Sequence, residues 1–144
     1  MASRVAAVVA GVLSLCVPVG VNAQVTGSVG GASPTARAVS SGLSGDRTDL
    51  QRDAFWDTVR RKEVRWTLEV SEVTTGWFSG LKVRGMATPT LQVSCELEDT
   101  PAMKSAVQDI NKGDHVVCSG KLGRTFVVMF GMATIMIEGV VQRP

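Results

Sequence analysis

Histidine, cysteine and tyrosine are scarce in this 144-residue chain, which holds one histidine, three cysteines and no tyrosine. A structural zinc site needs four cysteine or histidine ligands, often at C-x-x-C spacing, and no such spacing occurs. No nucleophile stands at a recognisable spacing from a base, and no glycine cluster follows a strand and opens a helix as phosphate-binding loops do. We therefore expect no metal, no cofactor and no enzyme activity, and we expect His115 to be a solvent-facing strand residue.

Net charge is absent from the part of the chain that we expect to fold. Residues 46–144 contain thirteen Lys and Arg residues and thirteen Asp and Glu residues. Proteins that bind the phosphate backbone rely on clustered basic residues and counter-ion release. This balance disfavours strong nonspecific binding to nucleic acid, although a neutral domain can still carry one basic face.

Apolar runs long enough to span a bilayer are also missing from the sequence. A bilayer-spanning helix needs about 20 such residues. The N-terminal run, residues 5–17, follows Arg4 and precedes the small residues Val-Asn-Ala that end at Ala23. This pattern predicts a secretory signal peptide over residues 1–23, cut after Ala23, and a secreted or periplasmic protein. The alternative is that the segment is kept as a membrane anchor.

Residues 24–45 consist mostly of Gly, Ser, Ala, Thr and Val, with no apolar period. Such a segment buries too little surface to offset its ordering entropy, so we predict a flexible linker. The folded domain is then expected over residues 46–144, which is enough for one modest core.

Two helices are indicated by their capping residues. Thr48 and Gln51 have the spacing of a capping box, which predicts a helix over residues 49–61. Thr100 is a candidate N-cap with Pro101 at the first helical position, and Gly113 is expected to end this second helix.

Five strands are indicated by alternation of apolar and polar residues. The first begins at Glu63, where the period changes to two, and Gly85 is expected to end the second. We expect Gly123 and Arg124 to turn the chain after the fourth. The segment 126–141 is one long strand, or two joined at Gly131, buried on both sides for part of its length. The expected strands span residues 63–70, 81–84, 91–98, 115–122 and 126–141.

The order helix, three strands, helix, two strands is that of an OB-fold. The motifs "EVRWTLEVSEV", "LQVSCELED" and "INKGDHVVCSGKL" lie within residues 55–141, which resemble bacterial OB-fold proteins of the tRNA-anti-like family, named after an anticodon-binding domain. The resemblance implies a mainly β, five-stranded Greek-key barrel with a helix between strands 3 and 4 and a short N-terminal helix. These motifs specify a fold rather than a reaction, and the run of exposed aromatic and basic residues typical of nucleic-acid-binding members is missing.

The most suggestive ligand-binding segment is "TTGWFSG", residues 74–80, at the connection between strands 1 and 2. If strand 2 has begun there, Trp77 and Phe78 point to opposite faces, so one is core and the other exposed. An exposed ring beside Lys82 and Arg84 stacks well on a sugar or a base. The alternative is that Trp77 plugs the barrel end and Phe78 packs on a helix.

Cys95 and Cys118 share the apolar parity of their strands. They are either a disulfide, which an oxidising compartment favours, or two small buried hydrophobic residues. The OB-fold resemblance places strands 3 and 4 apart, so a bridge has to cross the interior with Cα atoms within about 7 Å.

These patterns favour an exported, non-catalytic OB-fold binding module of the cell envelope or periplasm. We expect no stable membrane span once the signal is removed. The expected ligand is a protein or an oligosaccharide. The alternative is a single-stranded nucleic-acid-binding protein, which the neutral charge disfavours.

Overall fold

The computed structural model describes residues 32–78 and 80–144, and residues 32–144 form one compact unit. The predicted signal peptide, residues 1–23, lies outside the described residues. Within the described ranges no helix combines the length and the apolar character that a membrane crossing requires. The elements in chain order are α1 Ala36–Gly42, α2 Asp49–Val59, β1 Glu63–Gly76, β2 Gly80–Thr88, β3 Leu91–Leu97, α3 Pro101–Val107, β4 His115–Met129 and β5 Met132–Gln142.

The five strands form one sheet that closes into a ring in the order β1-β2-β3-β5-β4. β1 pairs with β2 on one side and with β4 on the other, which closes the ring, and β3 pairs with β5 in parallel. The prediction of a mainly β fold with five strands is confirmed, as is a helix between the third and fourth strands.

Alternating side chains fill the interior of the ring. Along the first half of β1, residues at odd positions are exposed, while Val64, Trp66, Leu68 and Val70 are buried. Each fully buried aliphatic side chain contributes about 1.5–3 kcal/mol relative to exposure. The same alternation on β2, β3 and β5 completes a single core, as the apolar parity in the sequence predicted.

The prediction of a flexible linker up to residue 45 is wrong for its second part. Ala36–Gly42 form α1, whose first turn is capped by the Thr35 hydroxyl accepting from the Ala38 amide at 3.1 Å. Val39 and Leu43 are almost fully buried in the core. The helix is too short for a 3.6-residue period to show in the sequence, and burial of these two side chains offsets its ordering entropy. The domain therefore begins before Asp46 and has two helices, not one, ahead of β1.

Helix α2 begins as predicted, with the full capping box between Thr48 and Gln51. It ends at Val59, two residues before the predicted end. The indole Nε1–H of Trp56 in this helix donates to the Arg124 carbonyl at 2.9 Å. The same ring packs against Phe126, with ring centroids 5.4 Å apart. These two contacts hold α2 against Arg124 and Phe126 in the second half of β4.

The predicted turn at Gly123 and Arg124 is wrong, because β4 continues to Met129. Gly123 lies in a register shift of the β4–β5 ladder, between Leu122 and the next paired residue. A bulge and a turn both use glycine, so the sequence does not distinguish them. The chain reverses instead at Phe130 and Gly131, both with positive φ, 52° and 76°. This is the backbone of a two-residue hairpin turn.

Gly120 and Gly139 face each other across β4 and β5 at the most crowded point of the ring. A Cβ atom on Gly139 would lie 1.9 Å from the Ser119 carbonyl oxygen, and one on Gly120 would lie 2.1 Å from the Glu138 oxygen. The ring closes this tightly only because both positions lack side chains.

Candidate functional site

A disulfide joins Cys95 on β3 to Cys118 on β4, with Cα atoms 6.3 Å apart. The two strands are not neighbours, because β5 lies between them. Both residues point inward and are fully buried, so the bridge crosses the interior of the ring. This geometry resolves the alternatives that the sequence left open for these two residues.

His115 lies exposed at the start of β4, opposite Glu69 on β1. In residues 32–78 and 80–144, no three His, Cys, Asp or Glu side chains come together in a way that suits a metal ion.

Trp77 and Phe78 are both fully exposed, at 100% and 102% of their reference surface. The expectation that one of them belongs to the core is wrong, and so is the alternative that Trp77 plugs the ring. The reason is local: β1 runs to Gly76 and β2 begins at Gly80, so both aromatics lie in the hairpin turn and not on a strand. Strand alternation therefore does not apply to them.

Lys82 and Arg84 lie on the outer face of β2, as their parity predicts, but each is paired. Lys82 Nζ is 2.8 Å from Glu96, and Arg84 Nη1 is 3.1 Å from Glu72. An incoming anion has to compete with these carboxylates, so both cations bind phosphate more weakly than unpaired ones would.

A concavity of about 840 Å³ lies between the β1–β2 hairpin and α3, and we call it the α3 groove. Its walls come from the β1–β2 hairpin on one side and from α3 with the residues that flank it on the other. Its apolar floor consists of Val73, Leu81, Val107 and Ile110, and its rim carries Thr75, Trp77, Asp99, Lys104 and Gln108. Lys104 Nζ and the Asp99 carboxylate form an ion pair at 2.9 Å.

A second, smaller groove of about 400 Å³ is lined by residues of β2, β3 and β5 and by residues 125–127 of β4. Lys82 and Arg84 line it, together with Gln92, Ser94 and Phe126. The four predicted ligand residues therefore do not form one site. Trp77 borders the α3 groove, whereas the two cations border the second groove.

The sequence also missed an exposed apolar surface on the β4–β5 hairpin, which we call the hairpin patch. Its members are Val127, Met129, Phe130 and Met132, which are 54%, 60%, 101% and 37% exposed. The segment 126–141 was expected to be buried on both sides for part of its length. Here β4 runs on past its pairing with β1, and these four side chains point away from the core.

Comparison of the chain with protein-family models gave no match, and comparison with curated protein sequences gave none.

Proposed function

We propose that this chain is an exported, non-catalytic OB-fold binding module whose α3 groove takes an oligosaccharide. The strand order, with α3 between β3 and β4, supports the OB-fold assignment, and OB-folds bind ligands with the loop between strands 1 and 2. The Cys95–Cys118 disulfide supports a secreted or periplasmic location, because such bonds persist in oxidising compartments.

The observation that carries the proposal is the fully exposed indole of Trp77 at the rim of the α3 groove. A flat aromatic face in water offers a stacking platform for the C–H face of a sugar ring. The hydroxyl, amide and charged groups of Thr75, Gln108, Asp99 and Lys104 lie around the same groove and supply donors and acceptors for sugar hydroxyls. A volume of about 840 Å³ is within the usual range for small-ligand sites.

A protein partner is the second candidate, and Phe78 favours it. Phe78 is exposed next to Trp77 on the same turn, and two adjacent exposed aromatics are typical of the centre of a protein interface. A nucleic acid is less favoured because Lys82 and Arg84 are both engaged by carboxylates.

The test is a titration of the purified protein with a panel of soluble oligosaccharides, including chitin, β-glucan and peptidoglycan fragments. We expect Trp77→Ala to weaken association at least about 10-fold, roughly the value of one aromatic stacking contact. Phe78→Ala is the matched control, because it removes an equally exposed ring and is expected to change binding by less than about twofold. Equal loss in both variants would show that both rings of the turn contact the sugar, whereas no association with any oligosaccharide would favour the protein-partner candidate.

Three results would contradict the proposal. Binding that survives Trp77→Ala would exclude the α3 groove as the site. Release of new reducing ends from the bound sugar would show an enzyme. Tight binding of single-stranded DNA or RNA at moderate salt, with no sugar bound, would favour the nucleic-acid alternative.

A further inference from the structure

The outer edge of β4 is left open beyond the ring. Pairing of β4 with β1 ends at Lys121, whereas β4 runs on to Met129. From Gly123 onward, β4 pairs only with β5 among the residues that the structure describes. Trp56 of α2 donates to the Arg124 carbonyl at the start of this edge, and from Thr125 onward an open groove of about 670 Å³ lies between the edge and the helix. The backbone groups along this edge are therefore accessible to another strand.

Beyond the bulge at Gly123 and the charged Arg124, this edge carries neither a charge nor a proline. Exposed edges are commonly protected by lysines, prolines or inward-pointing charges. Residues 125–137, "TFVVMFGMATIMI", contain no charged residue and no proline. Segments of this composition, rich in β-branched and aromatic residues, pair readily with other strands. An unprotected edge of this kind indicates that it is covered in the working protein.

The backbone at the hairpin tip supports the same conclusion. Phe130 adopts φ 52°, a conformation that asparagine or glycine takes up easily and that is unfavourable for a bulky residue. Its ring is fully exposed and so gains nothing from the rest of the fold. A residue held in an unfavourable conformation without a local benefit indicates a function for its side chain at that place.

The area of the hairpin patch agrees with the size of a weak homodimer interface. One aromatic side chain presents about 150–250 Å², and the whole patch exposes on the order of 400 Å². Two copies facing each other would bury on the order of 800 Å² from these side chains, and the paired edges would add to this. Stable interfaces bury about 1,200–2,000 Å², and weaker ones lie below that range.

We propose that a second copy of this chain docks on the hairpin patch, with the β4 edges of the two copies paired antiparallel about a two-fold axis at Val127. An isologous contact places Thr125 of one copy opposite Met129 of the other. The same register brings the ring of Phe130 next to Arg124 of the second copy, where a guanidinium lies favourably over an aromatic face. This dimer does not depend on the ligand of the α3 groove.

Sedimentation velocity of the purified protein, from about 5 to about 500 µM, tests the proposal. We expect a reversible monomer–dimer equilibrium with a Kd on the order of 10–100 µM, as the small interface implies. Val127→Lys places a charge at the axis and is expected to raise the Kd at least about 10-fold. Val140→Lys is the matched control, because Val140 is another half-exposed β-strand valine, at 41%, outside the hairpin patch.

A second measurement fixes the register. In a background where Cys16 is replaced by serine, Val127→Cys is expected to form a disulfide-linked dimer on mild oxidation. Directly opposed residues of antiparallel strands have Cβ atoms about 4.5–5.5 Å apart, and a small approach of the two strands brings them to the separation of about 3.5–4.5 Å that a disulfide needs. Val140→Cys in the same background is expected to stay monomeric.

The proposal is overturned by a protein that remains monomeric over the whole concentration range. It is also overturned by equal effects of the two lysine variants, or by a Val127→Cys protein that does not cross-link. The last measurement is binding of the protein to phosphatidylcholine–phosphatidylglycerol vesicles. If monomeric protein binds them and Val127→Lys abolishes that binding, the hairpin patch faces a lipid surface and not a second copy.

Discussion

Reduction of the Cys95–Cys118 bridge is expected to remove a large part of the stability of this domain. The bridge closes a loop of 23 residues and therefore restricts the unfolded chain. The chain-entropy relation gives about 3.4 kcal/mol at 25 °C for a loop of this length. For a domain of about 110 residues, this corresponds to a fall in Tm of about 14 °C.

The assay is urea unfolding followed by tryptophan fluorescence, with and without a phosphine reductant. The reduced form differs from the oxidised form only in having two S–H groups in place of the S–S bond. The difference in unfolding free energy between the two forms therefore reports the cross-link itself. The double variant Cys95→Ala, Cys118→Ala is the control, and its stability is expected not to respond to reductant. Because both cysteines are fully buried, we also expect reduction without urea to be slow and to follow the rate of unfolding.

A difference below about 1 kcal/mol between the oxidised and reduced forms would refute this reasoning. It would mean either that the bridge does not form in the protein or that the unfolded chain is already compact around the two cysteines.

The remaining predictions concern single side chains and are measured by thermal or urea unfolding. Gly139→Ala is expected to lower the free energy of unfolding by about 3 kcal/mol or more, because the new Cβ would meet the Ser119 carbonyl at 1.9 Å. Gly45→Ala is the control: the nearest atom lies at 3.5 Å, and the expected change is less than about 1 kcal/mol. Similar losses in both would contradict the close approach of β4 and β5. Thr48→Ala is expected to cost about 1 kcal/mol through loss of the α2 cap, and an unchanged Tm would count against the capping box. Phe130→Asn is expected to raise stability at micromolar concentration by about 1 kcal/mol, because asparagine suits a positive φ, while weakening self-association. Lower stability would show that the ring of Phe130 is packed within the monomer.

Much of the fold could be predicted because its signals are local. Alternation from Glu63 onward specifies the buried face of β1, and the spacing of Thr48 and Gln51 specifies the start of α2. Pro101 after Thr100 specifies the start of α3 in the same way. Each of these depends on neighbours within a few residues, so no knowledge of the rest of the chain is needed.

The predictions of the fold that were wrong concern local patterns that are compatible with two structures. Glycine at position 123 suits a turn and a bulge equally, and only pairing with β5 selects the bulge. The helix around Val39 has no period long enough to detect, and only the core that receives its side chains makes it stable.

The candidate site depended still more on tertiary structure. The sequence identified Trp77 and Phe78 as unusual, but their exposure follows from where β1 and β2 end. It placed Lys82 and Arg84 beside an exposed aromatic ring as candidate ligand residues, and the carboxylates that engage them come from β3 and β1. Partners on other strands are not visible in a local pattern.

The sequence by itself determined the class of this protein: a mainly β chain with five strands, a charge balance of zero over residues 46–144 and two inward-facing cysteines. Those properties follow from residue type and short-range period. Only the tertiary structure decided that the cysteines meet, that the α3 groove stays open and that β4 runs on past its pairing with β1. The physical reason is that each of these features depends on distances between elements far apart in the chain, which ring closure sets and local preference does not.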